Sequence, residues 1–369
     1  MSKAAELAKS GDTLTNQPSG RKNMVTNGAM QVAQRSASET GLGAASGYFT
    51  LDRWRLASSA TAGRFTMTQT ADGPSGFANC LKLDCTTADT SIAAGENLVL
   101  QQKFEGQDLQ QIKKGTSDAE LITVSFYVKA NAVFTFGCEL FDQDNTRQIT
   151  KLFATTTDWV RHEVTFPADT TGAYDDDNAN SFDLNFWLHA GATWAGGTLN
   201  TSAWASSTNA NRAAGIGSFF SSTDNNFFIT GVQMEIGSQA TNFEHRSFGE
   251  ELALCQRYYY RIQGNGSATT SLGIGFASTT TTAYSYLKFP VNMRAAPSLD
   301  GSSGLTASDL NSYTVAYASV AVNATESSSH GSSGTYIIVT VSSGLTALRV
   351  NANQLTANAG SFLALSAEL

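Results

Sequence analysis

The strongest constraint on this chain is an alternation of apolar and polar residues with a period of two. ITVSFYV places Ile122, Val124, Phe126 and Val128 on one face, with Thr123, Ser125 and Tyr127 on the other. VFTFGCEL aligns Phe134, Phe136, Cys138 and Leu140. SFDLNFWL aligns Phe182, Leu184, Phe186 and Leu188 against Asp183, Asn185 and Trp187. FFITGVQMEI aligns Phe228, Val232, Met234 and Ile236. A strand buried on one side has this pattern, because successive side chains point to opposite faces. Many such strands, separated by Gly, Asn, Asp and Thr clusters, predict two antiparallel sheets packed face to face. No long helical pattern interrupts them, so a parallel α/β fold is not expected.

Composition narrows the partners. Net charge is −8, and the Arg21–Lys22 pair is the nearest thing to a basic cluster. Nucleic-acid affinity comes mainly from Lys and Arg on phosphates, so DNA or RNA is not an expected partner. No apolar run approaches the ~20 residues of a membrane helix, and MSKAAELAKSGD has no apolar core of a secretory signal, so membrane insertion is not expected. Cys80, Cys85, Cys138 and Cys255 form no C-x-x-C pair. They read as reduced, small apolar residues rather than zinc ligands. His162 falls on the apolar side of VRHEVTF with Val160, Val164 and Phe166, as a buried and satisfied histidine would.

The chain divides into four zones. In 1–22, Ser2 caps a short helix over KAAELAK and Gly11 ends it. That helix is too short to be stable alone, and reads either as a frayed terminus or as an attachment peptide. Residues 23–246 carry the sandwich pattern. In 247–262, Ser247 and Glu250 fit a capping box, and Leu252, Cys255, Tyr259 and Ile262 recur at helical spacing, which predicts a short connecting helix carrying Tyr258, Tyr259 and Tyr260. Residues 263–369 hold three basic residues (Lys288, Arg294, Arg349) and four acidic ones (Asp300, Asp309, Glu326, Glu368) among short strands, and predict a smaller C-terminal β domain. A surface so poor in charge is either covered by identical neighbours or is a neutral adhesive face.

Sugar recognition needs flat aromatic faces and fixed amides or carboxylates. The loop-rich stretch 189–226 offers Trp194 and Trp204 with Asn200, Asn209, Asn211 and Arg212. Each tryptophan there is either a contact platform or a lid over the sandwich. The run Tyr174, Asp175, Asp176, Asp177, Asn178, with Asp169 nearby, is an oxygen-rich loop that could hold a structural Ca²⁺, although it lacks EF-hand spacing. No other metal or cofactor is expected. No G-x-S-x-G, H-E-x-x-H or phosphate loop occurs, and three adjacent exposed aspartates do not supply the raised pKa of a catalytic acid. No catalytic residue, and no enzyme, is expected.

Three stretches carry a family resemblance. They are GRKNMVTNGAMQVAQRS with GYFTLDRWRL (20–56), FFITGVQMEIGSQATNFEHRSFGEELALCQRYYYRI (227–262), and FPVNMRAAPSL (289–299) through to the final LSAEL. The first supplies Asn23, Asn27, Gly28, Gln34, Arg35, Asp52, Arg53 and Trp54. The second supplies Gln233, Glu235, Gly237, Ala240, Thr241, Phe243, Glu244 and Arg246, then Glu251, Leu252, Cys255, Gln256, Arg257, Tyr258 and Tyr259. Together they resemble bacteriophage tail-fibre and virion-appendage proteins with a carbohydrate-binding-module-like jelly roll. The chain departs from the usual Q-L-E, with Met234 in the middle. The resemblance implies a homotrimeric virion protein, assembled in the host cytoplasm and docked through residues 1–22. It also implies adsorption to host surface polysaccharide. The alternative is a purely structural head-fibre, decoration or connector protein that binds only other virion proteins. Read from the residues themselves, Trp54, Phe243 and the tyrosines are packing residues, and Arg35, Arg53, Glu235 and Glu244 are candidates for ion pairs closing the sandwich edges.

Overall fold

The computed structural model describes residues 21–264, 266–268, 270–300, 310–314, 319–355 and 362–369. The predicted helix over KAAELAK lies outside the described residues. The chain separates into two compact units, 1–251 with Leu369, and 252–368.

The first unit is an antiparallel jelly-roll sandwich. Its strands are β1 (Ser38–Leu42), β2 (Gly47–Tyr48), β3 (Arg55–Ser59), β4 (Arg64–Thr70), β5 (Cys80–Thr87), β6 (Asn97–Glu105), β7 (Ile122–Ala130), β8 (Thr135–Asp142), β9 (Arg147–Ala154), β10 (Val160–Phe166), β11 (Asn180–Ala190), β12 (Ala205–Ser206) and β13 (Asn226–Ile236). One sheet runs β1-β4-β5-β13-β7-β10 and the other β12-β9-β8-β11-β6-β3-β2. The core between them holds the alternating residues named above, including Val124, Phe126, Val128, Phe136, Leu140, Phe182, Leu184 and Phe186. Burial of such rows is the main stabilising term of the sandwich.

One strand departs from strict alternation. In β13 the register against β7 shifts between Thr230 and Gln233, and Gly231 sits at φ 61°. The bulge turns Phe227 and Ile229 into the core ahead of Val232 and Met234. Phe228, expected inside, therefore faces outward, with the Lys129 ammonium 4.7 Å from its ring centre.

The amide- and carboxylate-rich motifs fasten the first segment to the last strand. Asn23 donates from Nδ2 to the Val232 carbonyl at 3.2 Å and accepts from the Met234 N–H at 3.1 Å. Asn27 accepts from the N–H groups of Gln31 and Val32 and donates to the carbonyls of Val32 and Asp52. The Trp54 indole donates to the Asn27 carbonyl at 3.0 Å. Glu244 accepts the N–H groups of Lys22 and Asn23, each at 2.7 Å. Glu235 accepts from Thr241 and Gln233, and Arg53 donates to the Lys103 carbonyl. So Glu235 and Glu244 serve backbone and neutral groups where ion pairs were expected, while Arg35 meets a carboxylate, Asp52, at 3.8 Å.

Four-residue α1 spans Ala192–Ala195, and α2 spans Phe248–Gln256. The capping box forms: Ser247 N–H donates to Glu250 at 3.1 Å, and Glu250 N–H returns to Ser247 Oγ at 3.3 Å. The helix is shorter than the expected 247–262. Tyr259–Gln263 is a strand, β14, whose β-favouring tyrosines pair with β22 (Phe362–Ser366). With β17 (Ser298–Leu299) they make a three-stranded sheet. The rest of the second unit is a closed barrel in the order β15-β16-β20-β19-β18-β21, from β15 (Thr270–Ala277), β16 (Thr282–Lys288), β18 (Leu310–Thr314), β19 (Ser319–Gly331), β20 (Gly334–Val341) and β21 (Val350–Leu355). Its core includes Leu272, Leu287, Ile337, Val339 and Leu355.

All four cysteines are buried, and Cys80, Cys85 and Cys138 are free thiols. Burial pushes the thiols of Cys80 and Cys85 up to about 11, so they stay protonated and inert. His162 lies 5.5 Å from the rings of both Phe126 and Phe153 and donates from Nε2 to the Ala154 carbonyl at 2.9 Å.

Candidate functional site

The outward residues of β11 are as buried as the inward ones, because residues 189–226 fold back over the outer face of the seven-stranded sheet. Register sets three rows there. Arg55, Gln101, Asn185, Glu139 and Thr150 form one row across β3, β6, β11, β8 and β9. Lys103, Asp183, Phe141 and Gln148 form the next, and Ala57, Val99, Trp187, Gly137 and Leu152 the third. Gly137 sits beneath the covering loop, where an added Cβ would lie 3.6 Å from Ile216.

The first row is a chain of side-chain hydrogen bonds. Arg55 donates to Gln101 Oε1 at 3.0 Å, and Gln101 donates to Asn185 at 2.9 Å and Asp183 at 3.0 Å. Asn185 donates to Glu139 at 2.9 Å, and the Trp187 indole donates to the same oxygen at 2.7 Å. Arg212 closes the row with a bidentate pair on Glu139 at 2.7 and 2.8 Å. Burial works against the Arg212 charge, and Glu139 more than offsets it, raising the guanidinium pKa. Burial also raises the Asp183 carboxyl above its ordinary value, against amide donation from Gln143 and Asn180. Asn180 Oδ1 is buried without a hydrogen-bond partner.

Arg212 also stacks. Its guanidinium carbon lies 4.2 Å from the Phe141 ring centre, 5.2 Å from Trp187 and 5.7 Å from Trp194. Trp194 packs 5.6 Å from Trp187 and stays half-exposed. The turn bearing Asn211 is tied to α1 through Ala213 N–H to the Trp194 carbonyl and Gly197 N–H to the Ala210 carbonyl.

Of the six residues singled out in the sequence, the structure gathers Trp194, Asn211 and Arg212. Asn211 accepts from the Thr198 N–H at 2.9 Å. Asn209 is exposed, and Asn200 is half-buried with its carbonyl on the Thr150 N–H. Trp204 is elsewhere: it is buried, 6.5 Å from Phe182, and donates to the Pro167 carbonyl at 2.8 Å. Between the two alternatives, Trp204 acts as a lid. The residues that sequence reasoning missed are Gln101, Glu139 and Arg55. Their signal was an amide and a carboxylate at outward positions of strands otherwise built for burial.

The aspartate run behaves differently from a ligand loop. Asp169 is held by Arg147 at 2.7 Å and by Lys114 at 3.2 Å. Asp175, Asp176 and Asp177 are exposed and join no three-ligand cluster among the described residues.

No protein-family model and no curated protein matches the sequence. Solved structures similar to it include the enzymatically active domain of tailspike protein 4 of bacteriophage CBA120, at 13% identity and TM-score 0.31, covering 58% of this chain and 21% of that one. The xylan-binding CBM22-1 domain of Xyn10C from Paenibacillus barcinonensis is 10% identical, with TM-score 0.29, covering 60% of this chain and all of that one. A family 61 carbohydrate-binding module in complex with β-1,4-galactotriose is 10% identical, with TM-score 0.30, covering 59% and 100%. The chain spans about a fifth of the tailspike chain and the full length of both modules.

Proposed function

We propose that this chain is a non-catalytic phage appendage protein, a tail fibre or receptor-binding piece that adsorbs to host surface polysaccharide. The observation that carries the reading is the half-exposed Trp194, braced on the sandwich by the largely buried row Arg55–Gln101–Asn185–Glu139–Arg212. An indole face matches a pyranose C–H face, and the row beneath holds that indole in place through Arg212. Glu139 accepts from three donors within the chain, which suits a positioning role beneath Trp194. In this reading residues 1–22 dock the protein on the virion. The charge-poor barrel presents Ile274, Phe276, Tyr286, Tyr336 and Val350 to solvent, a surface suited to contacts between three copies. Several copies multiply weak sugar contacts by avidity.

A purely structural virion role is the second reading. It is favoured by how many of the candidate polar groups already bond to the chain itself.

The test is affinity electrophoresis of the tag-free chain through gels holding bacterial lipopolysaccharide or capsular polysaccharide. Trp194→Ala and Asn185→Ala are run beside it, with circular dichroism to confirm folding. Retardation that falls roughly tenfold in Trp194→Ala supports glycan adsorption. No retardation across the panel, or retardation indifferent to both variants, leaves the structural reading. Falling polymer viscosity on incubation would instead indicate an enzyme.

A further inference from the structure

Asp89 lies in the connection between β5 and β6, Glu96 directly precedes β6, and His189 is near the end of β11. One ligand atom from each comes within 4.8 Å of the others. All three are buried, at 5%, 4% and 0% exposure. We propose that they form a binding site for a first-row divalent cation of the Zn²⁺ type.

The donor set decides the class of ion. One imidazole nitrogen with two carboxylates suits Zn²⁺ and its neighbours, whereas Ca²⁺ and Mg²⁺ prefer oxygen alone. His189 Nε2 is 3.2 Å from Glu96 Oε2. Two ligands of a tetrahedral zinc, each ~2.0 Å from the metal, stand about 3.3 Å apart.

Charge is the second argument. Another buried carboxylate pair of the sandwich, Asp142 and Asp169, is neutralised by Lys114 and Arg147. Among the described residues, Asp89 and Glu96 have no lysine or arginine ion pair, and His189 is the sole partner with positive capacity. A cation between them would cancel charge that the chain itself leaves standing.

Orientation is the third and independent argument. His189 Nδ1 is 2.8 Å from Ser218 Oγ, which fixes the ring with Nε2 toward the carboxylates. Asp89 is aimed by Thr61 Oγ at 2.9 Å, the Ala62 N–H at 2.8 Å and the Ser91 N–H at 3.3 Å. Metal sites have this outer ring of orienting hydrogen bonds. Phe220 covers the site, its ring 5.2 Å from the His189 imidazole. Unlike the exposed aspartates at 175–177, this trio is drawn from two chain segments 93 residues apart between Glu96 and His189.

The experiment uses the tag-free full-length chain, stripped with chelator and titrated with ZnCl₂ and separately with CaCl₂ by calorimetry. Saturable uptake of one Zn²⁺ per chain, with a raised melting temperature and no response to Ca²⁺, is the expected result. His189→Gln should weaken uptake at least tenfold. Because that variant could fail to fold, the unmutated chain is also followed by ¹⁵N NMR of the histidine rings. The His189 Nε2 resonance should shift on Zn²⁺ addition while Nδ1 stays bonded. No uptake, uptake undiminished in a folded His189→Gln, or an unmoved His189 signal would each overturn the site and leave a hydrogen-bonded trio only. None of these readouts depends on glycan binding.

Discussion

The outer face of the seven-stranded sheet and the outer face of the barrel begin from similar sequence and end differently. Both place aromatic residues opposite the core at period-two positions. In the sandwich, Trp187 faces outward yet is buried, because Arg212 and Trp194 of the returning loop lie on it and Glu139 anchors that loop. In the barrel, Phe276 stacks on Tyr284 at 5.7 Å and Tyr286 meets Tyr336 at 5.4 Å across strands, with Phe276 46% exposed. Alternation tells which face is core. What becomes of the opposite face depends on whether another segment carries a group that can bind there, and one arginine makes that difference in the sandwich.

Arg212→Ala tests this most severely. It removes the cation from Glu139, which is fully buried. Removing one partner of a buried pair costs about 3–5 kcal/mol, because the remaining charge is stranded. Urea unfolding should show that loss, with indole fluorescence reporting a freed Trp194. A cost below ~1 kcal/mol would mean that the loop is held by packing alone, and the contrast with the barrel would lose its cause.

The motif residues give the next effect. An added Cβ at Gly28 would stand 2.1 Å from the Val232 carbonyl oxygen, which belongs to the backbone of β13. Gly28→Ala should therefore cost about 1–3 kcal/mol by overpacking. The loss should appear in the unfolding of the sandwich and leave the barrel untouched, as hydrogen exchange resolved by segment would show.

The sandwich was legible in the sequence because its strands are long and half-buried, so the period shows. The polar row was half legible. Asp183, Asn185 and Trp187 were placed on the outward face of β11, but their partners Gln101 and Glu139 lie on strands brought alongside only by register. Trp194 and Trp204 share a loop and a composition, and sequence could not separate them. A single contact decides each: Arg212 for Trp194, the Pro167 carbonyl for Trp204. Phe228 was misplaced because a bulge at one glycine inverts the parity of everything before it. Tyr259–Ile262 resembled a helix because three-four-three spacing over so short a run also fits a strand, and β22 settles the matter.

A smaller effect separates the two units by pH. The buried polar residues of the barrel are Ser285, Thr335 and Asn353 among those described, and none titrates. The sandwich holds His162 against two phenylalanines, and burial lowers its pKa below the ordinary value, opposed by the Ala154 carbonyl. The unfolded state then binds more protons than the folded one as pH falls through ~6.5, so stability is full above that value and declines below it. His162→Phe keeps the aromatic packing and removes the titration. Between about pH 7.5 and 5 the variant should lose less sandwich stability than the parent. Equal losses would assign the acid sensitivity to His189, whose pKa burial also lowers, together with the carboxylates.

The smallest effect on stability should come with the largest effect on association. Phe276 and Tyr336 lie on the exposed side of β15 and β20, away from the barrel core. Replacing both with serine removes little buried contact, so each should change the free energy of unfolding by no more than about 0.5 kcal/mol. If the bare face is where copies meet, the same pair should lower the mass seen by light scattering from trimer toward monomer. Truncation at Gln263 should do the same. A clear stability loss without any change in mass would show that the aromatic pairs hold the barrel closed rather than join it to others. The two outer faces would then differ in which strands they brace, and not in whether they are covered.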